Sequence, residues 1–238
     1  LLPLYLKNDR IDLLFCPGNI APYFSPVKTV QWIGTIGPFN KDFYRHFSIT
    51  EKIKLYINKI IMYKSAQKSD AVIFESNYTM RLFIDEYKVR AERSYVINIG
   101  KSKSFYPINQ QQGITLSDKY DSFKSYALCV SHLYAYKNIP RMIEAFAIAK
   151  RITESDHKLL IAGNKKSNKY YNQIIDTINK LNLQNTVILL GAVSKEDLCY
   201  LFSFCKFLIS PSPYENFSYT LVEAMCCGAP ILCANTTA

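Results

Sequence analysis

The stretch Ser210-Pro-Ser-Pro-Tyr-Glu215-Asn-Phe-Ser218-Tyr-Thr-Leu-Val-Glu223-Ala-Met-Cys-Cys-Gly228-Ala-Pro230 decides the fold. Phe207 to Ser210, leading into it, has the length and apolar content of a buried strand, and the prolines at 211 and 213 open a loop that runs to Ser218. Tyr219 to Cys227 reads as a helix, Gly228 as the left-handed residue that follows a helix end, and Ile231 to Ala234, beyond Pro230, as another strand. Strand, helix and strand in that order imply parallel strands, whose ligands bind at the carboxyl ends.

Working outward, the same unit repeats. Tyr126 to Ser131, Lys158 to Ala162 and Thr186 to Leu190 have strand character; helices are predicted from Pro140 to Arg151, Lys169 to Leu181 and Lys195 to Phe204, the last capped by Ser194. The first half shows the same texture, with strands at Ile11 to Cys16, Thr29 to Ile33, Ala71 to Phe74 and Tyr95 to Ile99, and helices at Glu51 to Lys68 and Asn77 to Glu86. The pattern fails between Tyr106 and Lys124. The expected organisation is therefore α/β throughout, with a first domain over 1–107, a linker over 108–125 and a second domain over 126–238.

Placement gives the two glutamates their meaning. Glu215 falls in a loop at a strand's carboxyl end, and Glu223 about one turn into the next helix. The first amides of that helix, at Tyr219, Thr220 and Leu221, have no intrahelical acceptor, so with the helix dipole they suit a phosphate. A carboxylate one turn further along can accept both hydroxyls of a ribose. Phosphate and ribose together indicate a nucleotide.

The chain has 238 residues, 49% hydrophobic and 20% charged, which is the composition of a globular protein. No apolar run has membrane-spanning length, and the opening Leu1 to Leu6 lacks the charged region and cleavage site expected of a signal peptide. It starts without methionine, so a piece of a longer protein is expected. Seven irregularly spaced cysteines read as small core residues of a reducing, cytoplasmic compartment, and a zinc site is not expected. The formal charge of +10 is concentrated in the first half and points to an anionic partner.

On these residues the chain resembles the retaining GT-B glycosyltransferases of the group 1, or family 4, type. Ser210 to Pro230 is similar to that family's Glu-x7-Glu signature. Leu128-Cys-Val-Ser-His-Leu-Tyr-Ala-Tyr-Lys137-Asn is similar to the start of its donor domain, Leu159 to Gly163 and Val187 to Gly191 to its next two strands, and Tyr95-Val-Ile-Asn-Ile-Gly100 to the close of its acceptor domain. The resemblance implies two Rossmann-like domains with parallel sheets facing a cleft, the family's first strand and last helices lying outside this sequence. It further implies a mannosyltransferase-like hexosyltransferase of glycan biosynthesis. A GDP- or UDP-linked sugar would be the donor, and a glycan or lipid-linked glycan the acceptor.

Residue by residue, the resemblance gives Glu223 the ribose, Glu215 the hydroxyls of the transferred sugar, and Lys137 and the backbone after Ser218 the diphosphate; Glu215 and Lys137 are the catalytic candidates. Asn164 and Val193 would border the nucleobase. His132 stands where relatives often carry arginine, Ser218 where they carry glycine, and Gln31 where many have histidine. No divalent metal or other cofactor is expected, because a lysine and a helix end supply positive charge where the leaving diphosphate develops its own. The chain contains no Asp-x-Asp.

Two other functions compete: a nucleotide-sugar epimerase of the same fold, and a non-catalytic nucleotide or nucleic-acid binder. The basic residues are scattered without aromatic interleaving, which disfavours nucleic acid. Glu51 to Lys68 places Ile53, Ile57, Ile60 and Ile61 on one helical face and Lys52, Lys59 and Lys68 elsewhere. The expectation is a packed helix with a basic outer side, with peripheral contact to an anionic membrane surface as the alternative.

Overall fold

The strands expected from the sequence all form, and they make up two parallel sheets. The computed structural model describes residues 2–109 and 119–235. The chain divides into two units, one holding residues up to Ile99 together with Tyr214–Phe217, the other Gly100–Pro213 and Ser218–Asn235.

In the first unit β1 (Leu13–Cys16), β2 (Lys28–Ile33), β3 (Ala71–Phe74) and β4 (Ser94–Val96) pair in sequence order, all parallel. Three helices accompany them: α1 (Leu2–Asn8), α2 (Ile49–Lys68) and α3 (Asn77–Asp85). The core is formed by Ile33, Val72 and Phe74 of the sheet against Met62 and Ala66 of α2 and Phe83 of α3. A capping box starts α2 two residues earlier than its apolar period indicates. Ser48 Oγ accepts from the Glu51 amide, and the Glu51 carboxylate accepts from the Ser48 amide at 2.8 Å.

The rotation of α2 corrects the sequence expectation. Ile53, Ile57 and Ile61 are exposed and Ile60 is half-buried, whereas Met62, Ser65 and Ala66 face the core. Small side chains at 65 and 66 allow close approach of the helix. Buried Gln31 fixes the angle: its Nε2 donates to the carbonyls of Met62 (3.2 Å) and Asn19 (2.8 Å), and its Oε1 accepts from Ser69 Oγ (3.1 Å).

The second unit carries β5 (Tyr126–Val130), β6 (Lys158–Ala162), β7 (Val187–Gly191), β8 (Phe207–Ser210) and β9 (Ile231–Cys233). Their spatial order is β7-β6-β5-β8-β9, all parallel, with α4 (Ile139–Thr153), α5 (Asn168–Lys180), α6 (Lys195–Phe204) and α7 (Tyr219–Cys226) as crossovers. Residues of β5 and β6 alternate between two cores, because successive side chains of a strand point to opposite faces. Tyr126, Leu128 and Leu160 pack with α6 and α7, while Ala127, Cys129, Leu159 and Ile161 pack with α4 and α5. Each fully buried Leu or Ile stabilises the unit by about 2 to 3 kcal/mol. Ser194 caps α6 as expected, its Oγ accepting from the Asp197 amide at 3.0 Å.

The division between units falls at Ile99/Gly100, ahead of the expected Pro107. Residues after Gly100 pack with the second unit: Phe105 is buried in its core, and the Ile108 amide donates to Ser203 Oγ at 3.0 Å. Of the expected linker over 108–125, residues 110–118 lie outside the described residues. On the far side Lys119 pairs with Asp197 of α6 at 2.6 Å. Among the described residues, no helix is long and apolar enough to cross a membrane.

Candidate functional site

Strand order in the second sheet reverses at β5, whose neighbours β6 and β8 leave in opposite directions. At such a switch point the loops after the two strands diverge and open a crevice. The loops concerned are Ser131 to Asn138, after β5, and Pro211 to Ser218, after β8.

Beyond β5 the main chain forms one wall of a cleft. The Ser131 amide donates to the Ala162 carbonyl (2.9 Å), the Leu133 amide to the Asn164 carbonyl (3.0 Å), and the Gly163 amide to the Gly191 carbonyl (2.7 Å). Gly163 has φ +148°, and a Cβ there would lie 1.9 Å from the Ser131 carbonyl oxygen. Only glycine fits that approach. The resulting cleft has a volume of about 230 Å³ and is lined by Val130, Ser131, His132, Ala162, Gly163, Asn164, Ala192, Val193, Leu198 and Thr220. Four of the residues singled out from the sequence, His132, Asn164, Val193 and Thr220, therefore share one surface. Ser218, Tyr219, Leu221, Glu223, Lys137 and Glu215 are not among its lining residues.

Lys137 ends a short 3-10 turn, Ala135–Lys137, that precedes Asn138 and α4. Its ammonium sits 5.3 Å from the centre of the Tyr136 ring, Tyr136 stacks on Tyr134 at 5.4 Å, and His132 meets Tyr134 edge-on at 6.3 Å. An aromatic row thus runs from the cleft residue His132 to the Lys137 cation.

α7 begins at Tyr219, its first intrahelical bond running from the Val222 amide to the Ser218 carbonyl at 3.3 Å. The Ser218 side chain makes no capping bond. The helix therefore supplies no acceptor of its own for the amides ahead of Val222. At the other end Gly228, with φ +81°, closes α7 as the sequence indicates, and the Ala229 amide donates to the Ala224 carbonyl at 3.0 Å. Glu223 stands one turn from Thr220 and is half-buried. Burial pushes its carboxyl above the ordinary glutamate range, and the charge of Lys195 partly opposes this.

Glu215 lies on the segment Tyr214–Phe217, which belongs to the first unit. Its neighbour Asn216 is buried there. Asn216 Nδ2 donates to Glu75 Oε2 at 2.7 Å, and Asn216 Oδ1 accepts from Thr79 Oγ1. Trp32 Nε1 donates to the other Glu75 oxygen at 3.0 Å, and Asn98 Nδ2 to the Glu75 carbonyl at 2.8 Å. Burial raises the Glu75 carboxyl above its ordinary range despite the donors from Trp32 and Asn216. Tyr214 packs against Phe43 and His46. The sequence reading missed this network. A carboxylate directly after the apolar run Ala71–Phe74 is the signal that points to it.

Two parallel α/β units, one carrying a strand-end cleft beside a helix N-terminus and a half-buried carboxylate, define a doubly wound α/β type of protein. The fold is that of the GT-B class. Residues 118–238, just over half of the chain, match the model of the group 1 glycosyl transferases, and the chain belongs to that family. It is 23% identical over 178 residues to the O-antigen chain mannosyltransferase B of Escherichia coli, covering 74% of this chain and 46% of that protein. It is 24% identical to mannosylfructose-phosphate synthase of Agrobacterium fabrum, covering 77% of this chain and 40% of the relative. The crystal structure of Anabaena HepE in complex with UDP and glucose superposes with a TM-score of 0.76 at 22% identity, over 98% of this chain and 62% of HepE. The chain thus spans less than half the length of these two curated relatives.

Proposed function

We propose that the protein is a glycosyltransferase that moves a hexose from a GDP- or UDP-linked donor to an acceptor glycan or lipid-linked glycan, with retention of anomeric configuration and without a divalent metal. The observation that carries this reading is the strand-end cleft of the family-matched region, with Thr220 on its wall and Glu223 one turn behind it. Names of the relatives support a hexose as the transferred group, and UDP with glucose in HepE supports a nucleotide sugar as donor.

In this reading the second unit holds the donor, and the first serves the acceptor. Asn164 and Val193 border the base, and Glu223 accepts from the ribose hydroxyls. Diphosphate meets the start of α7, from Ser218 to Leu221, together with His132 and Lys137. Glu215 takes the hydroxyls of the transferred sugar. Cleavage of the sugar–phosphate bond leaves a nucleoside diphosphate with more negative charge than the donor. Fixed positive potential from the α7 amides and Lys137 lowers that barrier because it acts more strongly on the transition state than on the ground state. The protein works in the cytoplasm, with peripheral contact to an anionic membrane surface where lipid-linked acceptors reside.

The test is a donor panel. Thermal shift with UDP, GDP and their hexose conjugates is expected to show stabilisation by one nucleotide series, since a ligand that binds only the folded state stabilises it by mass action. Transfer is expected to survive excess EDTA, and NMR of the product to show the donor's anomeric configuration. Activity abolished by EDTA and restored by magnesium or manganese would remove the metal-independent mechanism. Formation of donor epimers without acceptor would replace transfer by epimerisation.

A further inference from the structure

Glu215 stands between two anchored neighbours. On one side the Tyr214 ring meets those of Phe43 and His46 edge-on, with 5.7 and 6.2 Å between centres. On the other the Asn216 amide is buried and has a separate partner for each of its polar atoms, Glu75 and Thr79. A residue flanked by two fixed side chains keeps little backbone freedom, so its carboxylate is presented from one place. All of these contacts lie within the first unit, to which Tyr214–Phe217 belongs.

The chemistry of donors and acceptors makes Glu75 the fixed point. It is 6% exposed and follows β3 directly, where packing alone would be better served by an apolar side chain. The fold makes room for it: a Cβ at Gly34 would lie 2.8 Å from Glu75 Oε1. Trp32 Nε1 donates to that oxygen and Asn216 Nδ2 to the other. An ionised carboxylate only accepts, so it selects the amino end of Asn216 and leaves the carbonyl end to the Thr79 hydroxyl. Turning the amide over would set two acceptors against each other at Glu75. Thr79 is itself fully buried on α3, with Ser76 Oγ 3.1 Å from its hydroxyl. Each buried group thus has a partner that one arrangement of the segment supplies, and a satisfied polar network of this kind specifies a geometry.

We propose that Glu75, acting through Asn216, is a positioning residue for Glu215: it fixes the segment that presents Glu215, and with it the grip on the hexose of a nucleotide sugar. This rests on the reading that Glu215 takes the hydroxyls of the transferred sugar. In that reading the base, ribose and diphosphate are held by other residues, so Glu75 bears on the hexose alone.

Two measurements on the same variants test it. Chymotrypsin cleavage after Tyr214 and Phe217, followed by mass spectrometry, reads whether the segment is held and needs no ligand. Glu75→Gln sets an amide nitrogen against one of the two donors, and Asn216→Ala removes the link. Both are expected to be cut there about tenfold faster than wild type, since local opening then saves one charged hydrogen bond. Glu75→Gln/Asn216→Asp exchanges amide and carboxylate: the new amide oxygen accepts from Trp32, its nitrogen donates to the new carboxylate, and that carboxylate accepts from Thr79. Cleavage is expected to return to the wild-type rate. Titration calorimetry with UDP, GDP, UDP-glucose and GDP-mannose reads the purpose. The nucleotide sugar that binds is expected to lose about tenfold in affinity in Glu75→Gln, with the matching nucleoside diphosphate unaltered, and to regain it in the double exchange. A general loosening of the fold would weaken both ligands together and overturns the proposal. Unchanged cleavage in both single variants overturns it whatever the ligands do. So does a hexose contribution kept in Glu75→Gln but lost in Glu215→Gln, and the reading of Glu215 then stands. A hexose contribution that survives Glu215→Gln, or binding of none of the four ligands, removes that reading and the proposal with it. Should Glu75→Gln not fold, Asn216→Ala and the double exchange carry both readouts.

Discussion

The carboxyl ends of the two sheets are furnished differently. In the first unit, side chains close the space: Gln31 is bonded on every polar atom side, and Glu75, Trp32, Asn98, Thr79 and Asn216 form a connected network. In the second, the corresponding ends are walled by backbone and small residues, Ala162, Gly163 and Ala192, and leave a cleft. Parallel strands always end with polar main-chain groups pointing the same way, and something must satisfy them. The comparison teaches that the same topology serves structure where its own side chains supply the partners and binding where a ligand does.

The sharpest way to break the comparison is at Gly163. Gly163→Ala puts a methyl group into the Ser131 carbonyl and imposes an unfavourable φ, so the second unit is expected to lose on the order of 3 kcal/mol or more. Urea denaturation would report it. A variant within experimental error of wild type would mean that the wall is not made by backbone contact.

Next in size is Gln31→Leu. It breaks three hydrogen bonds, and although the Met62 carbonyl keeps Ser65 Oγ and Ser69 Oγ keeps the Ser65 carbonyl, about 2 kcal/mol of stability is expected to go. Affinity of the folded protein for a nucleoside diphosphate should stay unchanged. A loss of affinity equal to that of a donor-site variant would erase the distinction between the two strand ends.

Glu223→Ala should do the reverse, weakening nucleotide binding by about 2 kcal/mol, or roughly thirtyfold, through lost charged hydrogen bonds to the ribose. Titration calorimetry decides the point, and unchanged affinity would take Glu223 out of the site. pH adds a second check. With its carboxyl raised by burial, folded Glu223 holds its proton more tightly than unfolded Glu223. Stability without ligand therefore falls as pH rises from the ordinary glutamate value, about 4.3, to the higher folded one. Glu223→Gln is expected to remove that slope and to be more stable than wild type above the window, the two converging below it.

The smallest effect is expected at His132. Arginine there restores a permanent charge on the cleft wall, and nucleoside diphosphate affinity should rise by about 0.5 to 1 kcal/mol, more at low salt than at high. Weaker binding at every ionic strength would show that the imidazole serves another purpose.

Legibility followed the range of the interactions. β3, β6, α6 and β8 were readable residue for residue because their boundaries are set by local apolar runs, Ser194 and the turn residues between them. His132, Asn164, Val193 and Thr220 could be brought together on paper, since strand ends in a parallel sheet share one side. α1 carries no clear period and was missed. The rotation of α2 differs from the expectation because its isoleucines are as apolar as its core residues, and the faces are separated by the small side chains at 65 and 66 and the long-range contact with Gln31. Asn216 and Glu75 are 141 positions apart, so the strand-end carboxylate is visible locally but its partner is not.

The place of β5 in the middle of its sheet also has a meaning in time. Ala127 pairs with Leu159 on one side and with Phe207 on the other, so its two partners are made long apart. At about 5 to 20 residues per second, β8 leaves the ribosome several seconds after β6. Throughout that interval the nascent sheet of β5 and β6, joined partway by β7, presents an open edge of Tyr126 to Val130, an apolar template for pairing with another chain. The hazard of misassembly is thus concentrated in the unfinished polypeptide, and the arrival of Phe207–Ser210 is the event that ends it.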